Sequence, residues 1–294
     1  MPQQPDRPES VRRLGGEFRW PGGRRICVVF NLAFEGWSDG VAPGVGPMGN
    51  PLKPGVIDTN AINWADYGGR RGIWRLLDVL ARAETRASVM ACGVMAERWP
   101  EAMEAIRAAG HEVVAHSHAM DILPGTLDLD AERENLRRTV DLVGPCRGWI
   151  SPRGTPSFST ARLLAKEGFD WYGDVFDDDL PYVMDFAGRP LVAIPLTMEV
   201  NDLPFVMRFG NPPHGLADVF ANLLDWLRRG ERGASYVDVT AHTHVFGRPL
   251  GASVYAEMLR QAKADPDVWI ATRAEVADWV LSEEGGAPHL VPDR

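Results

Sequence analysis

The chain is short of sulfur, of long apolar runs and of basic charge, and each shortage removes a class of protein. Three cysteines in 294 residues, Cys27, Cys92 and Cys146, are far apart and odd in number. Cys27 and Cys92 sit inside apolar runs, so they read as buried thiols rather than as a disulfide framework. No stretch approaches the ~20 apolar residues that a membrane span needs. Residues 1 to 11 are polar and carry prolines with no hydrophobic centre, so no secretory leader is expected and the expected compartment is cytoplasmic. The net charge of −9 argues against nucleic acid and against an anionic membrane as partner. No internal repeat or low-complexity boundary divides the chain. A small-molecule substrate is the expected partner.

What remains is ordinary globular material, 45% hydrophobic and 24% charged, enough for one large core. Residues 1 to 24 read as an extended leader, residues 25 to 284 as the domain and residues 285 to 294 as a frayed tail. Within the domain, short apolar runs alternate with segments of helical spacing. Strands are expected at Ile26-Cys27-Val28-Val29-Phe30, at residues 87 to 91 and 113 to 115, and later at residues 171 to 176, 190 to 196, 236 to 241 and 268 to 270. Strand–helix alternation over the whole length means a parallel sheet. About seven strands without a linker suit a single closed or nearly closed barrel. Residues 40 to 71, rich in Gly, Pro and Asn, are too long for a simple connection and are expected to cover a binding site.

Chemistry in such folds gathers at the carboxyl ends of strands. Three strand ends carry it here. The first strand runs into Glu35 and Trp37. The third ends in His116-Ser117-His118, and a late strand ends in His242-Thr243-His244. If His116 and His118 continue their strand, both project from one face. Hydrolysis of an amide needs an activated water and a protonated leaving nitrogen. Glu35 could serve as base or metal ligand, His116 and His118 as base, ligand or substrate contact, and His242 or His244 as general acid. Arg153, stiffened by Pro152 and Pro156, could clamp a carbonyl or carboxylate. A salt bridge from Arg153 to Asp174 or to Asp177–Asp179 is the structural alternative. A hydrogen bond ordering the turn to Gly247 is the alternative for His244.

The motifs Asp66-Tyr67-Gly68-Gly69-Arg70-Arg71-Gly72, Ala109-Gly110-His111-Glu112-Val113-Val114-Ala115-His116, Gly148-Trp149 with Pro152-Arg153, Asp178-Asp179-Leu180-Pro181-Tyr182 and His244-Val245-Phe246-Gly247-Arg248-Pro249 carry a resemblance. Over residues 18 to 282 the chain resembles the polysaccharide deacetylase (NodB-homology) superfamily, and within it the branch holding metal-independent allantoinases. The resemblance implies an α/β fold, a single distorted (β/α)7-type barrel, that hydrolyses non-peptide carbon–nitrogen bonds, often as a homo-oligomer, a tetramer or dimer. It also implies a divalent ion such as Zn²⁺, with Glu35 at a ligand position and His116 at another. Ala33 stands where metal-using members have their base aspartate, and Met120 where they have a second histidine. Methionine is a poor ligand for Zn²⁺.

Three functions follow. The first is a hydrolase of a small cyclic amide or imide. The second is an N-acetyl saccharide deacetylase with a metal site rebuilt around Glu35, His116 and another histidine. The third is a silent member that only binds.

Overall fold

The computed structural model describes residues 6 to 49, 52, 53 and 55 to 293. The organising strand is longer than the apolar run suggests. After β1 (Ser10–Leu14) comes β2 (Ile26–Phe34), nine residues buried throughout, as a parallel strand covered on both faces should be. Its side chains alternate. Ile26, Val28, Phe30, Leu32 and Phe34 face the surrounding helices, while Cys27, Val29 and Ala33 face the barrel interior.

Helices α1 (Thr59–Tyr67) and α2 (Ile73–Arg82) precede β3 (Ser88–Ala91). Helices α3 (Gly93–Arg98) and α4 (Pro100–Ala108) lead to β4 (Glu112–Ala115). Then follow α5 (Leu129–Val143), β5 (Gly148–Trp149), α6 (Thr160–Glu167) and β6 (Trp171–Tyr172). A hairpin of β7 (Tyr182–Asp185) and β8 (Pro190–Ala193) comes next. The chain continues through α7 (Gly215–Arg229), β9 (Ser235–His242), α8 (Pro249–Ala264), β10 (Val268–Ala271), α9 (Arg273–Leu281) and β11 (Leu290–Pro292).

Strands β9, β2, β3, β4, β5, β6 and β8 pair in parallel in that spatial order. A single parallel bridge from Asn201 to Thr240 joins the chain beyond β8 to β9 and closes the ring. The result is the seven-stranded distorted barrel. The distortion is local: β10 pairs the first half of β2, at Ile26 to Val29, and β3 pairs the second half, at Asn31 to Phe34.

The ends depart from expectation. The leader is part of the domain: β1 pairs antiparallel with β7 on one side and with β11 on the other. Phe18 and Trp20 are buried in the interior cluster, and the Trp20 indole N–H donates to the Ser235 carbonyl at 2.9 Å. Two aromatic rings desolvated this way contribute several kcal/mol, which a frayed leader would forgo. The supposed tail supplies β11, so it too is paired.

Residues 40 to 71 are not all loop. Asp58 caps α1 through its carboxylate, and Gly68–Gly72 follow as a π-type turn running straight into α2. Glycines there lower helix propensity, which is why composition read this stretch as irregular. Their reason is contact. A Cβ at Gly72 would overlap the Thr243 carbonyl, and one at Gly247 would overlap the same carbonyl and the Gly72 Cα. Main chain therefore packs on main chain behind the His242–His244 turn.

No described helix is long and apolar enough to cross a membrane.

Candidate active site

The inward face of β2 continues past the strand in the same period, through Asn31 and Ala33 to Glu35. On β9 the inward set is Tyr236, Asp238, Thr240 and His242, since Val237, Val239 and Ala241 pack outward. On β4 it is Val114, which places His116 inward one residue past the strand end. Alternation on three neighbouring strands thus aims Glu35, His116 and His242 at one point. They meet there: Glu35 Oε1 lies 3.4 Å from His116 Nε2 and 3.4 Å from His242 Nε2. All three are buried. They form the floor of a cavity of about 810 Å³, which Trp37, Arg153 and His244 also line.

Each histidine is oriented from behind. His116 Nδ1 donates to the Ile150 carbonyl at 2.6 Å, so in the neutral ring Nε2 carries the lone pair. His242 Nδ1 faces Asp202 Oδ1 at 2.6 Å, and the other carboxylate oxygen accepts the backbone N–H groups of His242 (2.8 Å) and Phe246 (3.1 Å). Burial alone would depress His242, but Glu35 on one ring nitrogen and Asp202 on the other outweigh it and raise its pKa to about 10. Glu35 moves the opposite way. Burial would push it up, yet the His242 charge and hydrogen bond, with the His116 ring beside it, hold it well below the usual carboxylate range. At neutral pH the floor is therefore an imidazolium between two carboxylates, with His116 beside it.

His244 lies in the cavity wall without a hydrogen-bond partner on either nitrogen among the described residues. Burial lowers its pKa to about 3, so it is neutral. Its ring meets Trp64 edge to face at 4.5 Å and Trp37 at 5.7 Å. A group so hard to protonate is a poor general acid, and that role falls to His242 instead.

His118 is not in the site. Ser117 adopts φ +60°, which ends the strand period, so His118 turns outward to Glu97 at 3.7 Å. The expectation that it lines the pocket or binds an ion fails on that one backbone angle. Arg153 does line the cavity. It pairs with none of the acids offered as its alternative partners, of which Asp177 and Asp178 pair with Arg13 and Asp174 accepts the Ser151 N–H.

Sequence reasoning passed over Asp202, whose carboxylate holds His242 across 40 residues of chain. No spacing rule reaches that far. The usable signal was weak, an acid just past the Pro190–Leu196 apolar run.

The implied metal finds too few ligands. Met120 presents a thioether to the cavity where the superfamily pattern puts imidazole. His242, bonded at both ring nitrogens, has no free lone pair, which leaves Glu35 and His116. Among the described residues no three His, Cys, Asp or Glu side chains are placed to hold an ion. The donor set does not fit the usual three-ligand Zn²⁺ site.

Beneath the floor, Arg273 is fully buried. It pairs with Asp238 and donates to Asn31 Oδ1 at 3.2 Å and to the Ile194 carbonyl at 3.3 Å, tying β2, β9 and the end of β8 together.

Known proteins resemble this chain in sequence and in fold. Residues 61–156 match the polysaccharide deacetylase family model, a span that holds His116 and Arg153 but not Glu35 or His242. The chain is 25% identical to the peptidoglycan deacetylase of Helicobacter pylori, over 87% of this chain and 96% of that one. Its fold matches a probable polysaccharide deacetylase of Pseudomonas aeruginosa with TM-score 0.82 at 28% identity, over 92% and 95% of the two chains. It matches the allantoinase Puue equally well, with TM-score 0.82 at 26% identity over the same shares. Family model, curated relative and solved folds concur in one likeness: the chain is similar to the polysaccharide deacetylases.

Proposed function

We propose that this chain, a carbon–nitrogen bond hydrolase, opens a small cyclic amide or imide without a metal ion. The observation that carries the reading is the floor itself, a Glu35–His116–His242 cluster in which His242 is a charged imidazolium, with the Met120 thioether where the superfamily pattern puts a further histidine ligand. The cavity supports it, since residues 41 to 45 wall one side and leave a small-molecule space rather than a polymer groove.

In this reading a water attacks the ring carbonyl carbon. His116 Nε2 takes the water's proton, and the charge it gains is balanced by Glu35 beside it, as a carboxylate balances the histidine of a catalytic triad. The ring C–N bond breaks as His242 gives its Nε2 proton to the leaving nitrogen. The product is the ring-opened amide (or amine) bearing a carboxyl group, which returns a proton to His242 as it becomes a carboxylate, while His116 releases its proton to solvent. Asp202 keeps His242 charged and in place.

Deacetylation of an N-acetyl sugar is the second reading, favoured by the Helicobacter pylori relative that aligns over 96% of its length. Chelator-treated protein with metal content verified by elemental analysis separates the two. Turnover of succinimide or hydantoin by that protein supports the proposal. Turnover of N-acetylchitooligosaccharides restored only by added Zn²⁺ would overturn it.

A further inference from the structure

The cavity mouth carries two arginines that nothing in the protein neutralises. Arg153 and Arg208 both line the cavity and both are exposed, and neither has an ion-pair or hydrogen-bond partner for its guanidinium among the described residues. Acids outnumber bases in the chain, 40 to 31, and Arg98, which ends α3 and lines the neighbouring pocket, is by contrast held by Asp39 and the Trp37 carbonyl.

Arg153 sits at φ +57°, a left-handed conformation that costs a non-glycine residue on the order of 1 kcal/mol or more and clusters at functional sites. The turn is fixed around it. Gly154 N–H donates to the Ser151 carbonyl at 3.0 Å, and Thr155 binds the Pro152 carbonyl through its N–H at 3.2 Å and its hydroxyl at 2.7 Å. Arg208 ends a π-type turn, Leu203–Arg208, that starts directly after Asp202. Such turns recur at functional sites. The same short segment therefore holds the acid histidine at one end and presents a cation to the cavity at the other. The same cavity also carries exposed apolar side chains. Phe176 is 55% exposed and Met198 45% exposed, and both line the cavity.

We infer that the substrate is an anion, a cyclic amide or imide bearing a carboxylate that Arg153 and Arg208 receive while its ring lies against the Phe176–Met198 wall. This deepens the cyclic-amide reading and rests on it. Guanidinium groups bind carboxylates through paired charge-assisted hydrogen bonds, and a floor whose one imidazolium is already held by Glu35 and Asp202 cannot supply that recognition. The carboxylate end would fix which ring carbonyl faces His116.

The test compares a succinimide ring bearing a carboxylate side chain with the same ring bearing the carboxamide. For each, KM is measured for turnover and Kd by calorimetry, using the full chain. The carboxylate form is expected to have KM and Kd roughly tenfold lower or better. Sodium chloride should erode that advantage. Arg208→Gln and Arg153→Gln should each shrink the carboxylate-to-carboxamide ratio, mainly through KM. Folding of both variants is checked by thermal melting. Equal KM and Kd for the two rings in the wild-type protein would overturn the inference and leave the hydrolase reading standing. Preferential, arginine-dependent binding of the carboxylate ring without turnover of either would sustain the anion site and sink the cyclic-imide chemistry. Failure of both rings to bind would sink both.

Discussion

Asp202→Asn is the sharpest test of the charge state on which the mechanism rests. The substitution keeps the shape and removes the charge. Asp202 accepts three hydrogen bonds, from the His242 ring and from the backbone N–H groups of His242 and Phe246. An amide has one acceptor end. Whichever way it is turned, its NH₂ meets a donor, and each buried donor left unmatched costs about 1–3 kcal/mol. The imidazolium also loses one of its two anions, so the total should reach the ~3–5 kcal/mol seen when one partner of a buried pair is removed.

The pH dependence carries the decision. His242 has its folded pKa raised, from 6.5 to about 10. The stability it contributes is fully present below pH 6.5 and is lost as pH rises through about 10, a span worth up to about 5 kcal/mol. Asp202→Asn removes part of that span. The gap between variant and wild type, measured by urea unfolding, is therefore expected to be widest at pH 6 and to narrow towards pH 10. Tyrosine and lysine ionisation affects both proteins alike and cancels in the difference. A gap that is the same at both pH values would refute a charged His242, and with it the acid assigned to the leaving nitrogen.

Other outcomes follow from the same contacts. His116→Ala should abolish turnover and cost about 1–3 kcal/mol, because the buried Ile150 carbonyl loses its donor; thermal melts and kcat measured together check both. Glu35→Gln should lose nearly all activity. Since the folded Glu35 carboxyl is depressed from 4.5, wild-type protein should lose stability as pH falls below about 4.5 and the variant should lose less, seen by acid titration of circular dichroism. In wild type, kcat should decline above pH about 10 as His242 loses its proton, a limb that Asp202→Asn should move to lower pH. Gly72→Ala forces a Cβ into the Thr243 carbonyl and should destabilise by about 1–3 kcal/mol or more while lowering kcat, whereas Gly44→Ala, which meets nothing within 4 Å, should melt as wild type does.

Much of this site was legible in the chain because strand periodicity is rigid. Once β2, β4 and β9 are placed, period two puts Glu35, His116 and His242 on the inward face with no further information. The same rule misplaced His118, since one left-handed residue, Ser117, ends the period, and a serine gives no warning of it. The ends of the chain were misread for a different reason. β1 and β11 are short and little buried, and their pairing is with each other and β7 across about 170 residues or more, so composition alone cannot reveal it. Arg208 escaped notice because a π-type turn has neither the helical nor the strand spacing by which segments are recognised, and Asp202, visible as an acid past the Pro190–Leu196 run, has no spacing that ties it to His242.

The seam between Gly72, Gly247 and the Thr243 carbonyl has a consequence for how such an enzyme can diversify. A contact made by side chains can drift, since a loss on one face can be repaired by a gain on the other. A contact made by main chain offers no such exchange: any added carbon at either glycine collides, and no change at Thr243 withdraws a carbonyl. The turn bearing the histidines is thereby locked in depth against the start of α2. Freedom to accept new substrates is left to residues 41 to 45 and to the arginine-bearing turns, which touch the cavity from the far side of that seam. The catalytic floor and the recognition rim can then be inherited separately, one frozen by backbone contact and the other open to substitution.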